Sequence, residues 1–444
     1  MHTPGLSHAT QDIVMPAYLY QRLLAVFHWL TACYFQSATL DSGLSASAPV
    51  KHIVIVGGSF SALHTAHRIL KNAKSVLGSQ GGKAKFNLTL VSRDSHFYWN
   101  LASPRAIIPG QFTDEQMSQP IAEGFRKYAE AGQFEFVLAS ITGLDAEAKR
   151  IELVAVGSEG EGDDHNRRML DYDFLVLATG ASQKVSEVPF KSMGSTEATM
   201  AALHDMQNRV GAATTVVVVG AGPTGVETAA EIKFAYGNKK EVILISSLAS
   251  ILPGRPEKVA RAALQKVLAL GVDVRLSTRV LKTTQIENGR TELNLDGPGV
   301  DDSGEDARMV TDLHIPAYGE TPNSSYMPRE FVDNEGHILT GAYLNVPGAD
   351  GVYALGDVTN VDPAQFVYMD VQTKHMAKNL LFALAGRPLK PYKPATWAIF
   401  GLQIGRNDST GHYNSIQFPY WLMVWVRKNL YTEWLPGTVD GSRL

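Results

Sequence analysis

Residues 215–227 read TVVVVGAGPTGVE. Five β-preferring residues run into Gly220-Ala221-Gly222-Pro223-Thr224-Gly225, and an Ala-rich stretch of helical character follows at 227–234. Strand, glycine turn and helix in that order form a dinucleotide-binding unit. Gly220 permits the tight turn, Gly222 lets backbone approach a pyrophosphate, and Gly225 lets the helix pack closely on the strand. The start of the helix then offers unpaired N–H groups and a partial positive charge to phosphate. The competing reading of such a pattern is a glycine-rich turn that binds nothing.

A second copy lies upstream. Residues 52–66, HIVIVGGSFSALHTA, repeat the apolar strand, the turn and a small-residue helix. Here Gly57 takes the first position, Ser59 the second and Ala62 the third, with Gly58 between; Ala is an accepted third residue and Ser is small. Two such turns about 160 residues apart predict two dinucleotides, one held permanently and one exchanging.

Composition narrows the class. With 444 residues the chain is long enough for two or three domains. A formal net charge of −4 gives no basic surface for nucleic acid. The sequence holds one cysteine, Cys33, so a disulfide framework, a cysteine-based zinc site and an iron–sulfur cluster are excluded. A redox-active cysteine pair is excluded too, and electrons cannot pass through a protein dithiol.

Residues 13–35, apolar and aromatic but broken by Pro16, Gln21, Arg22 and His28, admit three readings: an interfacial or signal-anchor helix, a cleaved targeting segment, or a helix packed on the protein. A polar linker at 36–49 separates them from the first strand. After the first turn and its helix come a polar insertion at 78–85 and a strand at 86–91. Such a strand usually ends in a carboxylate for a ribose; here Ser92, Arg93 and Asp94 stand there, with Ser92 or a displaced Asp94 as the ribose candidates. Arg105, in a small-residue turn with Pro104, suits a pyrophosphate or an adenine edge, or else a surface salt bridge. Strands at 151–156 and 169–177 flank a charged loop at 158–168, and the second stops at Ala178-Thr179-Gly180, where backbone can approach a ligand closely.

The strand at 241–245 ends at Ser246-Ser247, again without a carboxylate, which admits NADPH as well as NADH. Lys239, Lys240 and Arg255 are candidates for the 2′-phosphate, or simply solvated cations. Strands are expected at 272–281 and 291–295, with a mobile surface loop at 296–306. Residues 351–358, GVYALGDV, predict a strand ending in Gly356-Asp357 ahead of a helix at 372–384. Asp357 would face a ribityl hydroxyl, or merely cap the strand. Residues 401–411 are Gly-rich and polar, and 418–428 are aromatic, then basic, fit for a membrane interface or for core packing.

With both glycine turns, Ala178-Thr179-Gly180 and Gly356-Asp357 in this order, the chain resembles the two-dinucleotide flavoprotein reductases over roughly residues 51–435. Residues 54–62, 100–106, Gly225-Val226-Glu227 with Ala229-Ala230-Glu231, Asn323-Ser324-Ser325-Tyr326 and Gly405-Arg406-Asn407-Asp408 are similar to the ferroptosis suppressor protein branch, also called apoptosis-inducing-factor-like, its fungal members above all. The resemblance implies an α/β protein of the pyridine nucleotide-disulfide oxidoreductase fold. Two Rossmann-like domains are expected, one for FAD (51–205 plus 316–390) and one for NAD(P)H (206–315). An N-terminal segment (1–50) and a C-terminal extension (391–444) for membrane or quinone contact complete the chain. It implies FAD at Gly57, Gly58, Arg105, Ile141 and Asp357, and Glu227 beside the nicotinamide as the one candidate catalytic side chain. It also implies NADH or NADPH as donor, a quinone or other small apolar acceptor, and a membrane-associated intracellular location (mitochondrial or another organelle), with the cytoplasm as second choice. Three features depart from the branch. Met1-His2 offers no myristoylation site, so membrane attachment is expected through residues 13–35 or the C-terminal segment. Ser92 replaces an acid, and residues 313–320 (LHIPAYGE) replace a second Ala/Cys-Thr-Gly. The rival functions are a tailoring oxidoreductase of a small metabolite and a non-catalytic nucleotide-binding signalling protein.

Overall fold

The computed structural model describes residues 50–78, 85–157, 167–185, 187–298 and 308–444. The expectations for residues 13–35, and for the cores of the 78–85, 158–168 and 296–306 segments, lie outside these residues. Among the described residues no helix is long and apolar enough to cross a membrane.

Lys51–Val56 is the central one of the five parallel strands in the larger sheet, and its Ile53, Val54 and Ile55 have no solvent-exposed surface. A strand buried on both faces needs helices or further layers on each side, which parallel connections supply. Phe86–Ser92 pairs with it in parallel on one edge and Phe174–Leu177 on the other, with Val352–Ala354 beyond the latter. Phe134–Asp145 extends the sheet in parallel past Phe86–Ser92, then turns back as the antiparallel strands Arg150–Ala155 and Arg167–Asp171. The chain therefore leaves the central strand in both directions. The crevice at its carboxyl end is the switch point where such sheets bind ligands.

The smaller sheet repeats this arrangement. Thr215–Val219 lies between Glu241–Ile245 and Leu313–Pro316, all parallel, with Asp273–Arg275 at the edge. A separate antiparallel sheet, Arg279–Gln285, Thr291–Asp296 and Arg308–Thr311, covers one face through Leu293 and Leu295. The chain passes between the two sheets along Ala181–Gln183 and Glu320–Pro322, which pair antiparallel.

Two expected strands prove to be two pieces each. Residues 169–177 break after Asp171, because the Asp173 carboxylate accepts the backbone N–H of His52 and the Lys51 ammonium (2.8 and 2.7 Å), fixing the start of the central strand instead. Residues 272–281 break where Ser277 adopts a left-handed conformation (φ 51°) between Arg275 and Arg279. The helix expected from 372 begins earlier, at Phe366. The Gly-rich segment 401–411 forms a hairpin of Ile399–Ile404 and Asp408–Tyr413, whose Phe400, Leu402 and Ile404 join the main core. Only part of 418–428 is core: Met423 is buried, whereas Tyr420, Trp421 and Trp425 of the Tyr420–Val426 helix are exposed.

Candidate dinucleotide-binding site

Sterics make both turns obligate glycine turns. A Cβ on Gly57 would lie 2.3 Å from the Ala178 carbonyl oxygen, and one on Gly220 would lie 2.6 Å from that of Ala317. Both residues also have positive φ (136° and 105°), which side chains disfavour. A Cβ on Gly225 would sit 1.8 Å from the Gly220 carbonyl oxygen. At Gly222 the situation is opposite: no heavy atom lies within 4 Å of the space a Cβ would take. Gly225 is therefore required by packing, and Gly222 leaves an open cradle. In the upstream turn the Ala62 methyl fits 3.4 Å from the place of a Gly57 Cβ, so the third position is satisfied by a residue small enough.

The helices behind the turns begin without a cap. Phe60–Leu77, which starts after Ser59, and Pro223–Tyr236, which starts after Gly222, have no side-chain cap and no acidic residue in the first turn; the same holds for Phe366–Leu384. By contrast Thr196–Ala212 is capped by the Ser195 hydroxyl on the Ala198 N–H and carries Glu197. Free N–H groups at a positive helix end are costly to leave unpaired unless an anion or water takes them. The Ser59 hydroxyl makes no cap bond, so this small side chain leaves the N–H groups open.

The ribose positions are occupied differently from the sequence expectation. Ser92 donates its hydroxyl to the Asp94 carbonyl and accepts the Asp94 N–H (2.8 and 3.0 Å), which folds it into its own loop, against Gly58. The displaced carboxylate of Asp94 accepts Ser192 Oγ on both oxygens (2.7 and 2.8 Å), with Arg93 alongside; burial raises its pKa against these two neighbours. Ser246 likewise donates to the Ser250 carbonyl and accepts the Leu248 N–H, closing a turn with no carboxylate in it. Lys240 is not a solvated lysine: its ammonium caps the Gly211 and Ala213 carbonyls. Arg255 stacks on Phe400, 4.4 Å from the ring centre.

Thr179 and Gly180 meet the returning chain. The Thr179 hydroxyl donates to the Asn323 carbonyl and shares a hydrogen with Tyr326 Oη, while Asn323 Nδ2 donates back to the Thr179 carbonyl. The space beside Gly180 is open. Ile141 packs on the second core cluster, beside a register shift in its strand. Gly356 sits against the first turn of the Phe60–Leu77 helix, since its Cβ would lie 2.5 Å from Ser61 Oγ. Asp357 then lines a cavity of about 400 Å³ with Ala181, Glu320, Pro322, His337 and Thr359.

Two ion pairs, one partly buried and one buried, hang from one helix face, four residues apart. Glu227 Oε1 accepts Arg427 (2.7 Å) and the backbone N–H of Gln403 (3.1 Å); burial raises its pKa and the arginine opposes the rise. Glu231 accepts Arg105 (2.6 Å) with both side chains below 5% exposure, and Arg105 also donates to the Lys428 carbonyl (2.8 Å). Arg105 is thus not a surface salt bridge: it ties three parts of the chain together. The Nε atoms of Arg105 and Arg427 and both amide atoms of Gln403 are buried without a hydrogen-bond partner among the described residues, and such orphans call for water or a ligand. Sequence reasoning missed Glu231, Arg427 and Lys191, whose ammonium lies 3.1 Å from Asp357 Oδ2. The i,i+4 spacing from Glu227 could have found the first; no local signal marks the other two.

A family model, "Pyridine nucleotide-disulphide oxidoreductase", matches residues 51–377. Oxidoreductase ptaL of Pestalotiopsis fici is 44% identical over 395 residues, covering 89% of this chain and 100% of that protein. Human ferroptosis suppressor protein 1 is 28% identical over 382 residues, 84% of this chain and 91% of that protein. Among solved structures, the sulfide:quinone oxidoreductase of Aquifex aeolicus superposes with a TM-score of 0.68 at 16% identity, over 88% of this chain and 92% of that one. NDH2 of Plasmodium falciparum in complex with NADH gives 0.65 at 14% identity, over 87% and 97%. The expected fold is therefore the observed one. The chain is an oxidoreductase of the pyridine nucleotide-disulphide oxidoreductase family, whose members work with a flavin and NAD(P)H.

Proposed function

We propose that this chain binds FAD at the upstream turn, takes hydride from NADH or NADPH bound at the downstream turn, and passes the electrons to a quinone-type acceptor. One observation carries the reading: two glycine turns, each opening onto an uncapped, acid-free helix start. The residues fit the group. Gly57, Gly58 and the N–H groups after Ser59 suit the FAD pyrophosphate, and Asp357 suits a ribityl hydroxyl. Gly222 and the N–H groups after Pro223 suit that of the nicotinamide nucleotide. FAD, when bound, supplies the two-electron chemistry; the side chains bind and orient.

Glu227 has the part of orienting the nicotinamide. Arg427 holds Oε1, so the carboxylate cannot rotate freely, and Oε2 has no hydrogen-bond partner among the described residues. The orphaned polar atoms of Gln403 beside it support a polar ligand group there. With Cys33 alone in the sequence, no dithiol relays electrons, and the acceptor must be reduced directly. The likeness to the ferroptosis suppressor proteins supports a quinone. The higher identity to oxidoreductase ptaL favours, as a second reading, a small metabolite as the redox partner.

The absence of an acid at the end of Glu241–Ile245 supports use of both nucleotides. Tyr420, Trp421 and Trp425, exposed on one short helix with the exposed Lys428 just after it, support a site at an intracellular membrane surface. Product analysis tests the acceptor. Stoichiometric quinol from NAD(P)H and a soluble quinone supports the first reading, and turnover only with another organic substrate supports the second.

A further inference from the structure

We propose that Lys191 is a flavin-positioning residue: it fixes the Asp357 carboxylate for the flavin side chain. The inference rests on the FAD reading above. Lys191 Nζ lies 3.1 Å from Asp357 Oδ2 and 3.2 Å from Glu320 Oε2, with 15% of its side chain exposed. Burial works against its charge, but the two carboxylates outweigh burial and raise its pKa, so it is an ammonium throughout the neutral range.

The lysine is held from both directions. The Tyr98 hydroxyl donates to the Pro189 carbonyl (2.9 Å), Phe190 is buried, and the Ser192 hydroxyl is bound to Asp94. The backbone before and after Lys191 is therefore pinned, and the ammonium has little freedom to leave its partners for solvent. On the other side the Gly356 N–H donates to Gln372 Oε1 (2.8 Å), and both the N–H and the hydroxyl of Thr359 donate to the Gly356 carbonyl (2.9 Å each). This turn sits on Ser61, in the first turn of the helix whose open start faces the expected pyrophosphate. Glu320 begins the Glu320–Pro322 strand and is paired in register with Gln183. Two carboxylates thus share one ammonium at the wall of the cavity. Without it they would repel each other, and Asp357 would lose the contact that sets its direction.

A mere staple of the ribbon would act through Glu320, whereas a flavin-positioning role acts through Asp357. The two are separated by FAD titration of the deflavinated protein, comparing Lys191→Met, Lys191→Arg, Glu320→Gln, Asp357→Asn and the double variant Lys191→Met/Asp357→Asn. We expect Lys191→Met to weaken FAD binding by at least about tenfold, as loss of a charge-assisted contact does. Lys191→Arg should recover most of it, and Glu320→Gln should stay within about threefold of wild type. The double variant should bind FAD within about twofold of Asp357→Asn alone, since the lysine acts through that carboxylate. Pyridine-nucleotide binding, measured on the same samples, should not change and serves as the check on folding. Unaltered FAD affinity in Lys191→Met, or an equal loss in Glu320→Gln, would overturn the inference and leave the proposed function standing. A wild-type protein that binds no FAD would overturn both.

Discussion

Replacing Gly222 by alanine separates binding from folding at the downstream turn. Gly222 has φ −71° and ψ 179°, a conformation open to any residue, and no heavy atom lies within 4 Å of the new methyl. The fold should therefore accept it, and the loss of backbone freedom in the unfolded chain should stabilise by about 0.4–1 kcal/mol. The methyl would nevertheless occupy the space through which a pyrophosphate reaches the helix start. Losing one or two hydrogen bonds to a charged phosphate, at about 1.5–3 kcal/mol each, weakens NAD(P)H binding by roughly 10- to 100-fold or more. Gly225→Ala is the contrasting variant. Its methyl would meet the Gly220 carbonyl oxygen at 1.8 Å, so it should destabilise the protein by about 1–3 kcal/mol or more through overpacking. Urea midpoints give the stability arm, and quenching of protein fluorescence by NADH and NADPH gives the binding arm. Wild-type nucleotide affinity in a folded Gly222→Ala protein would refute the assignment of this turn to a dinucleotide.

Other consequences follow from the buried charges. Glu231→Gln leaves Arg105, 4% exposed, without its counter-ion and should cost about 3–5 kcal/mol in chemical denaturation, whereas replacing both partners with methionine should cost far less. Burial, with Arg68 next, lowers the His64 pKa to about 3; burial against the Val439 carbonyl lowers that of His67 to about 4. Both folded values lie below the unfolded one, so the unfolded chain takes up protons first, and stability is lost as pH falls through 6.5. At pH 5 each histidine should have cost about 2 kcal/mol relative to pH 7.5, so urea midpoints should drop between these values. The Asp370 carboxylate, which Arg68 and Lys374 hold down at about 2 against the cost of burial, should add its loss only below pH 4. Finally, Cys33→Ser should turn over NAD(P)H at the wild-type rate, because no thiol relays electrons; a loss of activity measured by nucleotide absorbance would contradict direct reduction of the acceptor.

The glycine turns were legible because their requirement is local: strand, turn and helix occupy consecutive residues, and close packing at Gly57, Gly220 and Gly225 leaves no alternative. The chain-order motifs gave the fold for the same reason. What escaped was anything joining distant residues. Arg105 reads as a phosphate ligand from its small-residue turn, yet its partner Glu231 lies 126 positions away and the Lys428 carbonyl 323. Lys191 stands in a segment without pattern, and its partners lie at 320 and 357. Ser92, a ribose candidate by position alone, and Ser246, at the matching strand end of the second unit, each bond to the backbone of their own loop, as a hydroxyl can. The break at Tyr172-Asp173 was hidden because an aspartate inside an apolar run signals a cap only when the neighbouring strand start, Lys51-His52, is known to lie beside it.

The most direct measurement of the central claim is the visible spectrum of the purified protein before and after anaerobic addition of NADH or NADPH. Two dinucleotide sites that exchange a hydride predict a yellow protein whose flavin band bleaches on addition and returns when a soluble quinone is supplied. A colourless protein, or a flavin band that neither nucleotide bleaches, would contradict it.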